Sequence, residues 1–346
     1  MDAAADHADH ADHADLSEAL DVVERYLLGD APTLTRAEVC EQAGVPLEVA
    51  EELWRRLGFP HQADDAVAFT PADVRALEYT RDLMELGVLS AEHQAALVRT
   101  WGRSYARLAE WQTRLLTDVA LQSPDPARQV ADLASEVLPR VEALQSYVWR
   151  RHLASAGNRL LAGDSAGSDT APMAVVFVDI VGFTSRSKEL DEAGLVRWVE
   201  YFEDECSGLV VDHGGRVIKN IGDEVLFVID HAEAAADVAL TMTARGSDAD
   251  DDFPAVRAGL AYGDVVLRLG DVFGPTVNIA SRLTSLARPG SVLVDRGAHD
   301  ELTDDPDDHD DHDDHEHGDF AFRRMRRTSV KGYARLQAWV LRRAGS

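Results

Sequence analysis

Three short segments in the second half of the chain bring together residue types that suit phosphate chemistry. The first, Val176-Phe177-Val178-Asp179-Ile180-Val181-Gly182-Phe183-Thr184, ends an apolar run on a carboxylate and then turns. Backbone N–H groups in that turn, at Phe183 and Thr184, suit phosphate oxygens. The second, Gly214-Gly215-Arg216-Val217-Ile218-Lys219-Asn220-Ile221-Gly222-Asp223-Glu224, puts Asp223 on the tip of a tight hairpin. Carboxylates on two adjacent strand ends can hold a pair of hard cations through oxygen. The third, Gly270-Asp271-Val272-Phe273-Gly274-Pro275-Thr276-Val277-Asn278-Ile279-Ala280-Ser281-Arg282, places Asn278 and Arg282 four apart at the start of a helix. They share one face, and an amide beside a guanidinium suits a ribose next to a charged phosphate.

Singly, each residue has an ordinary use. An Asp on a hairpin is a turn former, an Asp after a strand caps the next helix, a Lys in a strand is a solvated edge, and an Arg on a helix is a surface charge. Together and in this order, the three segments resemble the catalytic domain of the class III nucleotidyl cyclases, over roughly Pro172 to Leu341. The resemblance implies the ferredoxin-like βαββαβ cyclase fold and the conversion of ATP to 3′,5′-cyclic AMP and pyrophosphate. It implies that Asp179 and Asp223 hold two divalent metal ions, Mg²⁺ or Mn²⁺, with the backbone carbonyl of Ile180. Lys219 and Asp271 match the pair that reads adenine, Asn278 the residue that orients the ribose, and Arg282 the one that stabilises charge on the phosphate. Lys331, in Val330-Lys331-Gly332-Tyr333, matches a phosphate-binding lysine. In the family the site lies between two subunits. All six principal positions are present in this one chain, so a homodimer would build two complete sites.

The elements that must position these residues alternate between strand and helix. Met173 to Val178, Arg216 to Ile221 and Val225 to Ile229 read as strands, the last two joined at Gly222-Asp223. Val256 to Tyr262 and Asp264 to Leu269 read as a second hairpin, Ser291 to Val294 as a strand, and Phe320 to Met325 and Leu336 to Leu341 as the closing strands. Helices are expected over Ala193 to Asp212, Ala232 to Arg245 and Val277 to Ala287. The catalytic domain is thus α+β, spanning 172–346. A tract of Asp and His at 303–318 is inserted before the closing strands. Its irregular spacing defines no coordination geometry, and it reads as a solvated acidic loop.

Before this domain the chain is helical. An Ala-Asp-His repeat fills residues 1–15, has no apolar period and cannot build a core. An all-α regulatory domain follows over 16–137, then a linker helix and flexible linker over 138–171. Thr35 with Glu38 forms a capping box, Thr70-Pro71-Ala72-Asp73 opens another helix, and Leu97, Trp101, Tyr105, Leu108 and Trp111 stripe a third. A further helix is expected from Ala127 through Leu138-Pro139 to Trp149. Residues 34–59 are similar to a winged helix-turn-helix of the MerR type, which makes a DNA-binding regulator the rival function. A catalytically silent cyclase-like regulatory module is another. The helical domain is also similar to the regulatory domain of actinobacterial, autoinhibited, pH-responsive cyclases. That implies a pH response, for which His93 and His152 are the candidates; an apolar ligand of the helical domain is a separate candidate partner that no residue identifies.

Charge and composition limit the alternatives. The 346 residues carry a formal net charge of −28, which repels nucleic acid and anionic membranes. From Thr33 to Ser90 acidic residues outnumber Arg and there is no Lys. No apolar run has the length to span a bilayer, and the N-terminus lacks the basic start and apolar stretch of a secretory signal. A cytoplasmic protein is expected. Cys40 and Cys206 stand far apart in no metal or redox spacing, so no disulfide framework is expected.

Overall fold

A computed structural model of the chain describes residues 24–87, 91–162, 170–303, 314–325, 328–330 and 333–345. The N-terminal repeat, the Gly/Ser-rich stretch 163–169, most of the acidic insertion and Lys331 lie outside the described residues. The chain divides into two compact units, Met1–Ala162 and Gly163–Ser346.

The first unit is helical. Its start is a small core built by α1 (Arg36–Ala43), α2 (Leu47–Leu57) and α3 (Pro71–Glu85). Thr35 and Glu38 form the expected capping box and Gly44 ends α1 in the left-handed region. Thr70 and Asp73 form a second box at α3, with Pro71 at the first helical position. Val39, Cys40, Ala43, Ala50, Val74 and Leu77 make the buried cluster, with the tilted ring pair Trp54 and Phe69, centroids 4.9 Å apart, packed against it. The helix striped by aromatics is α4 (Ala91–Leu121), on which Trp101, Tyr105 and Trp111 are exposed. The helix expected from Ala127 to Trp149 is two. α5 (Pro126–Glu136), capped by Asp125, stops at Val137, and α6 (Leu138–Ala162) starts afresh with Pro139 in its first turn. A proline has no N–H to give and clashes with the preceding turn, so it resets the helix there. Leu144, Tyr147, Trp149 and Leu153 of α6 are exposed. Among the described residues no helix is long and apolar enough to cross a membrane.

The second unit is built on β1 (Thr170–Ile180), which pairs antiparallel with β3 (Glu224–Ile229) on one side and β4 (Val256–Arg268) on the other. Both faces of β1 are covered, and so its sequence is a continuous apolar run. Ala174, Val176, Val178 and Ile180 join a core with α8 (Glu192–Asp212) and α9 (Ala232–Arg245). Met173, Val175 and Phe177 face the opposite way, toward α10 (Pro275–Leu286). With β2 (Arg216–Ile221) outside β3, the first four strands lie in the order β2-β3-β1-β4, the antiparallel ferredoxin-like arrangement. The sheet continues through β6 (Val292–Val294) to β11 (Trp339–Arg343), β8 (Phe320–Arg324) and β7 (Asp314–His317). β7 is formed by the end of the acidic insertion, and β9 (Thr328–Val330) pairs with β10 (Tyr333–Leu336) separately.

The hairpin expected between Val256–Tyr262 and Asp264–Leu269 is absent. β4 runs unbroken through Gly263 and pairs with β1 along its whole length, from Thr170↔Val266 to Ile180↔Val256. The turn falls later, at Leu269-Gly270, and β5 (Asp271–Phe273) returns along the end of β4. Gly263 is conformationally permissive but made no turn, because pairing all of β1 satisfies more backbone groups than a break would. The short helices α7 (Phe183–Arg186) and α11 (Arg296–Thr303) were not foreseen.

α11 starts at a buried acid. Asp295 accepts the N–H groups of Tyr262 at 3.2 Å and Ala298 at 2.8 Å. Burial outweighs these donors and pushes its pKa from an ordinary 3.8 to about 6. The folded state therefore binds the proton more tightly than the unfolded chain. The stability this group contributes is whole below pH 3.8 and is lost as pH rises through about 6. Asp295→Asn keeps the cap and does not titrate. In paired urea unfolding series, the stability difference should move in the variant's favour from pH 4 to pH 7; a constant difference would contradict the assignment.

Candidate active site

The strand ends bring the predicted acids together. Ile180 donates its N–H to the carbonyl of Asp223 at 3.1 Å, tying the end of β1 to the β2–β3 turn. Directly paired residues share a face, and the row Glu224–Asp179–Arg257 crosses β3, β1 and β4. Arg257 donates Nε to Asp179 Oδ2 at 2.7 Å, and its Nη2 lies 2.6 Å from the same oxygen. Burial raises the Asp179 carboxyl above the ordinary range, against the pull of Arg257, and nearby Asp223 raises it further. Glu224 is pushed up to about 7, by burial first and then by Asp179 and Asp223. Concentrated negative charge in a partly buried corner has this effect, and it is the environment a cation relieves.

These residues fit hard divalent cations. The donors are carboxylate and backbone oxygens, without a soft ligand. Among the described residues no group of three or more His, Cys, Asp or Glu side chains forms a ready-made cage. A cation held by Asp179 and Asp223 would complete its shell from backbone oxygen, water and substrate phosphate, as Mg²⁺ commonly does.

Lys219 and Asp271 meet. Lys219 Nζ lies 2.7 and 2.9 Å from the two oxygens of Asp271, and Val272 N–H holds Asp271 Oδ1 at 2.8 Å. A bulge between Val217 and Lys219 sets Lys219 opposite Leu226. Leu226 packs in the cluster facing α10, so Lys219 emerges on the face that carries Asp179. Two strands and two residues separate them, on the order of 10 Å. Asn278 and Arg282 are both exposed on α10. Phe183 stacks on Trp198 at 5.7 Å and packs against the core, so its ring is structural, while Thr184 is exposed.

A family model described as the adenylate and guanylate cyclase catalytic domain matches residues 167–343, and one described as the adenylate cyclase regulatory domain matches residues 7–149. The chain belongs to the adenylate and guanylate cyclase family. An adenylate cyclase of Glutamicibacter nicotianae is 35% identical over 92% of this chain and 81% of its own length. An adenylate cyclase of Streptomyces coelicolor is 39% identical over 81% of this chain and 74% of its own. A pH-sensitive adenylate cyclase of Mycobacterium tuberculosis is 32% identical over 82% of this chain and 73% of its own.

In this cyclase the residues that sequence reasoning passed over are Glu224 and Arg257. Glu224 follows Asp223 and was hidden by it. Arg257 is a lone cation in an otherwise apolar strand, Val256 to Ala261. Such a charge must find a partner when half-buried, and that demand was the available signal.

Proposed function

We propose that this chain converts ATP to 3′,5′-cyclic AMP and pyrophosphate at a site built by two copies. The observation that carries the reading is one sheet face bearing both the Asp179–Asp223 acid corner and the Lys219–Asp271 pair. Asp179, Asp223 and the Ile180 carbonyl would hold two divalent cations, Mg²⁺ or Mn²⁺. When bound, such cations lower the pKa of the ribose 3′-hydroxyl and neutralise phosphate charge. The 3′-hydroxyl gives its proton to solvent water as its oxygen bonds to the α-phosphorus and the bond to the β-phosphate oxygen breaks, and pyrophosphate leaves. Lys219 donates to an adenine ring nitrogen and Asp271 accepts from the exocyclic amine. Guanine presents the reverse pattern at that edge. Asn278 orients the ribose and Arg282 carries charge from the phosphate, both from the partner copy. Backbone N–H groups at Phe183 and Thr184 would bind phosphate oxygens, and Lys331, which lies outside the described residues, is assigned to phosphate by resemblance alone.

The test is cyclic AMP formation by the purified chain from ATP with Mn²⁺, beside GTP. Product from ATP is expected to exceed product from GTP. Lys219→Met should lower kcat/KM for ATP about tenfold to a hundredfold, the cost of leaving a polar edge unpaired. No cyclic nucleotide from either substrate would overturn the activity.

The helical unit, with α6 as its linker, is proposed as the regulator. The exposed apolar residues of α4 and α6 support covering by a second copy or by an apolar ligand. His93 and His152, both exposed, are proposed to contribute to a pH response. The double variant His93→Ala/His152→Ala should flatten the pH–activity profile near neutrality; an unchanged profile would remove both from the account.

A further inference from the structure

We propose that the cavity between α2 and the loop leading to α3 binds a small aromatic carboxylate, with its carboxylate on Arg36 and its ring between Trp54 and Phe59. The site lies wholly within the helical unit and is independent of the chemistry proposed for the second unit. It gives the helical unit a ligand site of its own, distinct from the exposed apolar faces of α4 and α6.

The walls follow from local structure. α2 ends at Gly58, which takes the left-handed conformation at φ 79°. Gly58 N–H donates to the carbonyl of Arg55 at 3.2 Å and Phe59 N–H to that of Trp54 at 3.0 Å, the paired bonds of a Schellman turn. The turn brings Phe59 back alongside the end of α2. The loop then returns to Phe69, whose backbone exchanges hydrogen bonds with Leu34 at 3.0 Å in each direction. Between these fixed points lies a cavity of 530 Å³, a size suited to a small-molecule ligand. Trp54 and Phe69, both half-buried, line it as a ring pair with centroids 4.9 Å apart. Phe59 also lines it, is 55% exposed and has no ring partner among the described residues. An aromatic side chain left half in water beside a cavity gains by stacking on a planar guest.

The polar lining selects the charge of that guest. Asp73 lines the cavity but is committed to the cap of α3, accepting from Thr70 N–H at 2.8 Å and Thr70 Oγ1 at 3.0 Å. Glu51 is committed to Arg36, whose Nη1 lies 2.9 Å away. Arg55 and His61 stand at the same cavity. The Arg36 side chain is only 11% exposed, and its Nη2 is met by Asp64 of the loop. Asp64 itself is 84% exposed. A partner so open to water adds little net stability, so it is a carboxylate that a guest displaces. Asp64 occupies the place of a ligand's own carboxylate, opposite a planar guanidinium fork and beside an aromatic wall. The guest is therefore an anion of that chemistry, carried on a flat ring system.

The experiment is isothermal titration calorimetry on the full chain with 2-naphthoate as the probe. Two competitors are titrated against bound 2-naphthoate: 2-naphthamide, which keeps the rings and lacks the charge, and decanoate, which keeps the charge and lacks the rings. 2-Naphthoate should bind saturably, and each competitor should displace it only at about tenfold or greater excess. Asp64→Ala should bind 2-naphthoate roughly twofold to fivefold more tightly than wild type, because the competing carboxylate is gone. Phe59→Ala should weaken binding about fivefold. Both side chains are exposed, so both variants should fold, and a gain in affinity is not a product of damage. No saturable binding of 2-naphthoate at millimolar concentration overturns the proposal. So does displacement by decanoate as an equal, and so does unchanged or weakened binding in Asp64→Ala.

Discussion

Asp179→Ala is expected to lower cyclic AMP formation by a hundredfold or more, with the fold intact (a loss on the order of that from removing one preorganised electrostatic contact). The side chain ends β1 and is covered by the strands on either side, yet its polar contact is with Arg257, which retains access to water. Truncating Asp179 strands a guanidinium that can be hydrated, so the cost in stability should be about 1 kcal/mol. Removing one of three crowded carboxyl groups also relieves Glu224, whose pKa is raised partly by Asp179. The thermal midpoint and the activity should therefore part company. A melting temperature within a few degrees of wild type (about 2–4 °C per kcal/mol at this size), with activity nearly abolished, is the outcome that supports cation binding at Asp179. Activity within tenfold of wild type would take Asp179 out of the site.

Gly259→Ala is expected to unsettle both stability and catalysis, through packing rather than chemistry. A Cβ at Gly259 would lie 2.3 Å from Thr284 N, 2.5 Å from Ala280 O and 2.6 Å from Thr284 Oγ1. None of these can step aside. Ala280 and Thr284 are buried, and the Thr284 hydroxyl is held by Ala280 O at 3.0 Å and Phe177 O at 3.3 Å. α10 itself would have to lift from β4. Overpacking of this kind costs about 3 kcal/mol, or roughly 6–12 °C in melting temperature for a unit this size. Because α10 also carries Asn278 and Arg282, the surviving folded fraction should show reduced kcat with little change in cation binding. A variant that melts like wild type would mean that helix and strand are less closely seated than these distances state.

The parts of the candidate site that the sequence could suggest residue by residue were those that depend on local chemistry. Asp223 needs only a tight turn between two apolar strands, and Asn278 and Arg282 need only helical spacing. The Lys219–Asp271 pair was reached by resemblance, because nothing local joins residues so far apart in the chain. Arg257 escaped for the opposite reason. Its meaning lies in a cross-strand register with Asp179, and register is a tertiary quantity. The same limit explains the false hairpin at Gly263. A glycine between two apolar runs is a sound local turn signal. The long antiparallel partner that overrides it is visible only when β1 and β4 are laid side by side. In the helical unit, capping boxes announced α1 and α3 residue by residue, whereas the break at Val137 depended on how strongly Pro139 would reset the turn.

The central strand has a consequence for how the protein is made. Every partner of β1 is synthesised after it, and its longest pairing waits for β4, whose first residue is Val256. Until that strand leaves the ribosome, Met173 to Val178 is an uncovered apolar ribbon with a free edge, the kind of segment that pairs with other chains. The ion pair between Asp179 and Arg257 cannot exist in this interval, because the two meet only when β4 docks. Early in translation the nascent catalytic unit is thus an aggregation hazard without function, and the helical unit ahead of it is the part able to fold first.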